Sequence, residues 1–278
     1  MPEFPRTTVG GVSISRLIIG TNWFLGYSHS SVAKDKFITN YQTRNKIADT
    51  LVVFLECGID AVMGPPSDLL YEAIQEAQDR TGRQLISILT PTFNILPGGP
   101  QEQEPGRIFD LCQSLGATFC LPHQCVTDVL LDRMYNQIRA IDRYTNMIRE
   151  RGMVPGLSTH SPDTVVIADM SGADVETYIQ IYNASGFLMH VEVDWVMRII
   201  KGAQKPVMTI KPLAAGGLLP AVGLTHVWNT IRDQDMVSIG TTTPDEAREV
   251  IDISLDVLNR RIPDYDLQVT RSKQTLTQ

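Results

Sequence analysis

Short apolar runs alternate along the chain with longer stretches in which apolar residues recur at helical spacing. Eight runs stand out: Ser15–Gly20, Ile59–Met63, Leu85–Thr90, Ala117–Leu121, Val154–Ser158, Tyr178–Tyr182, Val207–Lys211 and Val237–Thr241. Their apolar residues are continuous and do not strictly alternate, which is the pattern of strands covered on both faces. Arg44–Cys57 precedes the second run as a helical pattern, Ser67–Arg80 follows it, and Val126–Arg151 reads as one long periodic segment. Ser161-Pro162-Asp163 and Thr243-Pro244-Asp245 each set a capping residue before a first-turn proline and an acid. Regular strand–helix alternation predicts parallel pairing, and eight repeats predict a single closed (β/α)8 barrel over residues 1–263, with a polar tail at 264–278 that reads as a mobile arm. A doubly wound open sheet is the competing arrangement, but no GxGxxG follows the first strand.

Four segments break the rhythm: residues 21–43 after strand one, 91–102 after strand three, 183–191 after strand six and 212–222 after strand seven. Long loops in a compact domain are usually functional. All four follow strands, on the face where barrel enzymes carry their active sites.

Composition narrows the classes. The chain has 278 residues, 43% hydrophobic and 20% charged, so it can bury a large core without disulfide or metal staples. Its net charge of -7 opposes binding to a phosphate backbone, and there is no Lys/Arg run to compensate, so nucleic acid is not expected as a partner. Cys57, Cys112, Cys120 and Cys125 show no CxxC spacing and read as free thiols of a reducing compartment. Met1–Arg6 lacks the apolar stretch of a signal peptide, and no window is apolar enough to span a bilayer. A cytoplasmic protein with a small-molecule substrate and no membrane partner is expected; the oligomeric state stays open, a homo-oligomer included.

Of five histidines, His29, His123, His160 and His190 fall at strand ends or in the loops that follow, and His226 in a helical pattern. Imidazoles serve as metal ligands and as acid–base groups near neutral pH. The expected catalytic set is His123, His160, Lys211 and Tyr182. A divalent metal (Mn, Mg or Zn) on His123, His160, His190 and Glu192 is the companion reading, although no HxH or HxxxH spacing supports it. Asn22, Trp23 and Asn183 suit hydroxyl recognition and ring stacking. Gly216, Gly217, Gly240, Thr241 and Thr242 follow strands seven and eight, where barrels commonly bind phosphate.

The order of several short motifs resembles that of the aldo-keto reductases. They are Gly10-Gly11-Val12-Ser13-Ile14-Ser15-Arg16-Leu17 running into Ile19-Gly20-Thr21, Cys57-Gly58-Ile59-Asp60, Ser67-Asp68-Leu69-Leu70-Tyr71-Glu72-Ala73-Ile74, Gly156-Leu157-Ser158-Thr159-His160, Tyr182-Asn183, Lys211-Pro212-Leu213-Ala214-Ala215-Gly216-Gly217 and Ser238-Ile239-Gly240 through Glu246. The resemblance implies a (β/α)8 barrel with an N-terminal hairpin, and in that family a nicotinamide cofactor and a tyrosine acid supported by aspartate and lysine. Those groups do not carry over. The aspartate position falls at Met63, the tyrosine loop is cut to Gly64-Pro65-Pro66, and the lysine position falls at Leu89-Thr90-Pro91; only the histidine has a counterpart, His123. On the cofactor side, the glutamine position is Ile179, the stacking tyrosine position lies near Ile210, and the basic positions fall at Gly240 and near Glu246.

The expectation is a non-redox enzyme, of isomerase, epimerase or lyase type, acting on a small sugar-like carbonyl compound through histidines at the barrel mouth. The alternatives are a divergent NAD(P)H-dependent reductase and a non-catalytic ligand-binding barrel.

Overall fold

The computed structural model describes residues 3–95 and 105–276. All eight apolar runs form strands. They are Leu17–Gly20, Ala61–Gly64, Ile86–Leu89, Ala117–Cys120, a split fifth strand of Val154–Pro155 and Leu157–Thr159, then Tyr178–Ile181, Val207–Ile210 and Met236–Gly240. Every neighbouring pair is parallel, and the eighth strand pairs with the first through Ile239 and Ile19. Val154–Pro155 pairs with the fourth strand and Leu157–Thr159 with the sixth, so the ring comes full circle through Gly156. A Cβ at Gly156 would lie 2.8 Å from Leu121 Cγ, Thr177 Cγ2 and Thr177 O. Glycine alone lets the backbone pass there without displacing its neighbours.

An antiparallel hairpin, Arg6–Val9 with Val12–Ser15, precedes the barrel. Its Val9 and Ile14 pack with Ile18, Ala61, Ile88 and Phe119 of the barrel interior, flooring the end where the strands begin. The other strand faces, among them Leu17, Ile19, Val62, Val207 and Val237, pack against the surrounding helices. Below the seventh and eighth strands, the buried Asp235 accepts hydrogen bonds from Val207 N and from the backbone and guanidinium of Arg232.

Helices form at Arg44–Glu56, Asp68–Thr81, Pro162–Ser171 and Pro244–Leu258 as the pattern predicts. Ser67 and Thr43 cap theirs by side-chain hydrogen bonds, while the Ser161 hydroxyl accepts from Arg133 instead. Two expectations need correction. Val126–Arg151 is not one helix: Gln124–Leu130 ends at a small hairpin, Leu131–Asp132 against Gln137–Ile138, before Ile141–Arg149 resumes. Asp132 causes the break. Its carboxylate takes the N–H groups of Met134 and Tyr135 and the Arg139 guanidinium, a local alternative to helix that short acidic side chains offer. Residues 21–43 are not a plain loop either, since they hold the helices Asn22–Leu25 and Val32–Tyr41. Of the loop expected at 91–102, residues 96–102 lie outside the described residues. Among the described residues no helix is long and apolar enough to cross a membrane.

Candidate active site

A cavity of about 870 Å³ opens where the strands end, within the range of small-molecule and cofactor sites. Met63, Thr90, Ile179 and Ile210 line it, from strands two, three, six and seven. His123, His160 and Lys211 add polar groups after strands four, five and seven, and His29 comes from the loop after strand one.

His29 is placed by a short chain of contacts. Gly26 ends the helix Asn22–Leu25 in a left-handed conformation, and Asp35 then holds the Ser28 N–H and hydroxyl at 2.8 and 2.6 Å. These hydrogen bonds keep the Asp35 carboxyl below its usual range. The next residue, His29, sits at φ 58, with Nδ1 2.9 Å from Tyr27 O. A carbonyl can only accept, so Nδ1 carries the proton and Nε2 is an acceptor. Lys211 Nζ lies 3.1 Å from that Nε2. Lys211 itself is at φ 61. Two non-glycine residues in the left-handed region, meeting at one contact, mark backbone strain of the sort that collects at functional sites.

Burial pushes Lys211 down to about 8. Among the described residues no carboxylate pairs with it, and no other Lys or Arg lines the cavity. His160 is depressed to about 3, by burial first and then by Lys211 and the other histidines. Burial also lowers His123 and His29. His123 caps the helix Gln124–Leu130 by accepting Cys125 N–H at Nδ1, which leaves the ring proton on Nε2. His160 is anchored through its backbone: its N–H donates to Asp128 at 3.0 Å, and Thr159 donates its hydroxyl to the same carboxylate. The mouth thus holds three imidazoles whose charged form is disfavoured and one desolvated lysine.

Other expected residues divide cleanly. Asn22, Trp23, Gly216, Gly240, Thr241 and Thr242 line the cavity. Tyr182 does not: it is buried in the helix layer, donating to the Thr230 hydroxyl with its ring against His226. Asn183 is buried and organises its own loop through Phe187 and Ser185. Gly217 is spent on the turn to Ala214 O and is not part of the wall. His190 and Glu192 are exposed, outside the cavity that His123 and His160 share. Among the described residues no three His, Cys, Asp or Glu groups are placed to hold a metal. The donor set expected for Mn, Mg or Zn therefore does not converge.

The wall after strand eight is where a phosphorylated nicotinamide cofactor would place its adenosine phosphate. Thr241 is 2% exposed and lines the cavity, and its hydroxyl has no protein partner among the described residues, which suits a ligand. The anion position, however, is taken: Glu246 Oε2 accepts Thr242 N–H, and the Thr243 hydroxyl accepts Glu246 N–H. Trp23 lies so close to Gly240 that a Cβ there would be 2.7 Å from its Cδ1, leaving no room for a basic side chain. These residues do not fit an adenosine phosphate.

No protein-family model matches the chain, and no curated protein matches its sequence. Solved structures do match its fold. A Pseudomonas aeruginosa protein assigned to the aldo-keto reductases superposes with TM-score 0.65 at 14% identity, covering 93% of this chain and 99% of the other. An aldo-keto reductase from Klebsiella pneumoniae in complex with NADPH gives 0.56 at 12%, covering 96% and 98%. A truncated 3-deoxy-D-arabino-heptulosonate 7-phosphate synthase from Thermotoga maritima gives 0.50 at 11%, covering 85% and 80%. The fold is an aldo-keto reductase-like barrel, and fold alone does not fix the reaction.

Proposed function

We propose that the chain is an enzyme acting on a small, sugar-like carbonyl compound by proton transfer without net redox chemistry. The observation that carries this reading is the Lys211–His29 contact, which shares one cavity with His123 and His160. Imidazoles neutral at pH 7 accept protons from carbon or oxygen acids, and their conjugate acids return them. A lysine without a carboxylate partner attracts an electron-rich carbonyl or acidic group. Isomerisation, epimerisation or lyase-type cleavage would use these groups alone.

A second reading has its own support. The fold likeness favours a nicotinamide-dependent reductase, and one matching structure holds NADPH. Against it stand Met63 and Thr90, which fill positions where the family resemblance expects an acid and a lysine. One experiment separates the two. Purified protein is titrated with NADH and NADPH by fluorescence, then screened against sugars, sugar acids and their phosphates with and without cofactor. Cofactor-independent conversion supports proton transfer. Turnover only with NADH or NADPH overturns it in favour of reduction.

A further inference from the structure

Lysine side chains seldom leave water without a carboxylate. Lys211 is half-buried, and among the described residues its side-chain partner is a histidine nitrogen that can only accept. A neutral imidazole offsets the desolvation of an ammonium less than a carboxylate would, so burial lowers the lysine. The His29 Nε2 acceptor lies 3.1 Å from Lys211 Nζ, the cavity wall beside it is apolar at Ile210 and Leu213, and both residues are held in the left-handed region. The parity of strand seven would turn Lys211 toward the helices, as Thr209 turns, and its positive φ instead brings it to the mouth.

We infer that Lys211 is a covalent nucleophile that forms an imine with the substrate carbonyl, with His29 as its proton acceptor. This step rests on the proposed carbonyl substrate. The Nζ–C bond forms as the carbonyl π-bond breaks toward oxygen. Dehydration of the carbinolamine then gives a protonated imine. The balance is ammonium plus carbonyl to iminium plus water: nitrogen loses two protons, which leave with the carbonyl oxygen, and His29 relays them. The depressed lysine supports the step, because at pH 7 its neutral fraction, about a tenth, exceeds that of an ordinary lysine by about 300-fold.

The test uses the full chain with glycolaldehyde, dihydroxyacetone and pyruvate as separate probes, each with sodium borohydride, followed by peptide mapping. Hydride adds to the imine carbon and leaves a stable secondary amine. Expected is trapping at Lys211 at least about tenfold above any surface lysine, lost in Lys211→Arg and reduced several-fold in His29→Asn, since asparagine tolerates the left-handed backbone. Absence of selective trapping at Lys211 with all three probes overturns the inference. So does Lys211→Arg that keeps turnover on a substrate found by screening, because arginine holds an anion but forms no imine. Either result leaves histidine-dependent turnover to be judged separately, so a failure here is distinct from a failure of the proposed function.

Discussion

Glu246 holds the backbone N–H of Thr242 at 2.6 Å, and so a carboxylate already occupies the start of the helix Pro244–Leu258 on the cavity side. A phosphate arriving there must displace one negative charge, and among the described residues Lys211 is the one Lys or Arg on the wall. NADPH should therefore bind weakly. A lost charge-assisted phosphate contact costs about 1.5–3 kcal/mol, so affinity should fall tenfold or more below that of an intact site. Glu246→Gln should improve NADPH binding and leave NADH nearly unchanged. A micromolar dissociation constant for NADPH in the unaltered protein would sink this expectation.

His123→Ala and His160→Ala should each slow turnover by about 10²–10⁴-fold if these imidazoles move protons in the rate-limiting step. Met63 lines the same cavity but its thioether transfers no proton at neutral pH. Met63→Leu conserves volume and should cost under about 1.5 kcal/mol of stability, with turnover largely kept. Rates are compared on a substrate from the screen, with circular dichroism verifying each fold. Near-normal rates in both histidine variants would remove them from the mechanism.

The barrel was readable because both of its signals are local: apolar runs of strand length and caps such as Thr243 before Pro244. The site was only half readable. Strand parity could have excluded Tyr182, because Tyr178, Gln180 and Tyr182 share the face away from Ile179, and Tyr178 and Tyr182 bond to Asp169 and Thr230 in the helix layer. Parity fails at Lys211, where a positive φ rotates the side chain. His29 was visible as a mouth histidine, but its partner is 182 positions away and depends on the Ser28–Asp35 anchor. The break at Asp132 was hidden because a helical period in apolar residues says nothing of a carboxylate that finds backbone N–H groups nearer by.

His160 makes stability fall in mild acid. Its folded pKa, about 3, lies below the ordinary 6.5 because burial and nearby cations oppose its charge. The unfolded chain then binds the extra proton between those values, so stability is intact above about pH 6.5 and is lost as pH falls through this window. From pH 7 to 5 the loss attributable to this group should be about 1–2 kcal/mol, from 1.36 kcal/mol per unit discounted for solvent screening. Urea unfolding at both pH values should show a smaller drop for His160→Gln. Equal drops would mean that solvent reaches the ring in the folded state.

The floor of the barrel, remote from the cavity, is held by one buried carboxylate. Asp235 is fully buried and its two oxygens take Val207 N–H, Arg232 N–H and the Arg232 guanidinium. The same guanidinium donates to Ala203 O and Lys205 O, and Arg16 donates to Asp235 O. One carboxylate thereby fixes the entries of strands seven and eight. Removing it leaves a half-buried guanidinium without its counter-charge and Val207 N–H without an acceptor. Asp235→Ala should cost about 3–5 kcal/mol. Asp235→Asn, which keeps an acceptor but no charge, should cost less. Arg232→Met should restore part of the loss in the double variant, because it removes the stranded charge as well. Urea midpoints of the four proteins test this, with the slope of the transition unchanged. If the double variant is no more stable than Asp235→Ala, the buried pair is not the source of the penalty, and the lost Val207 hydrogen bond is.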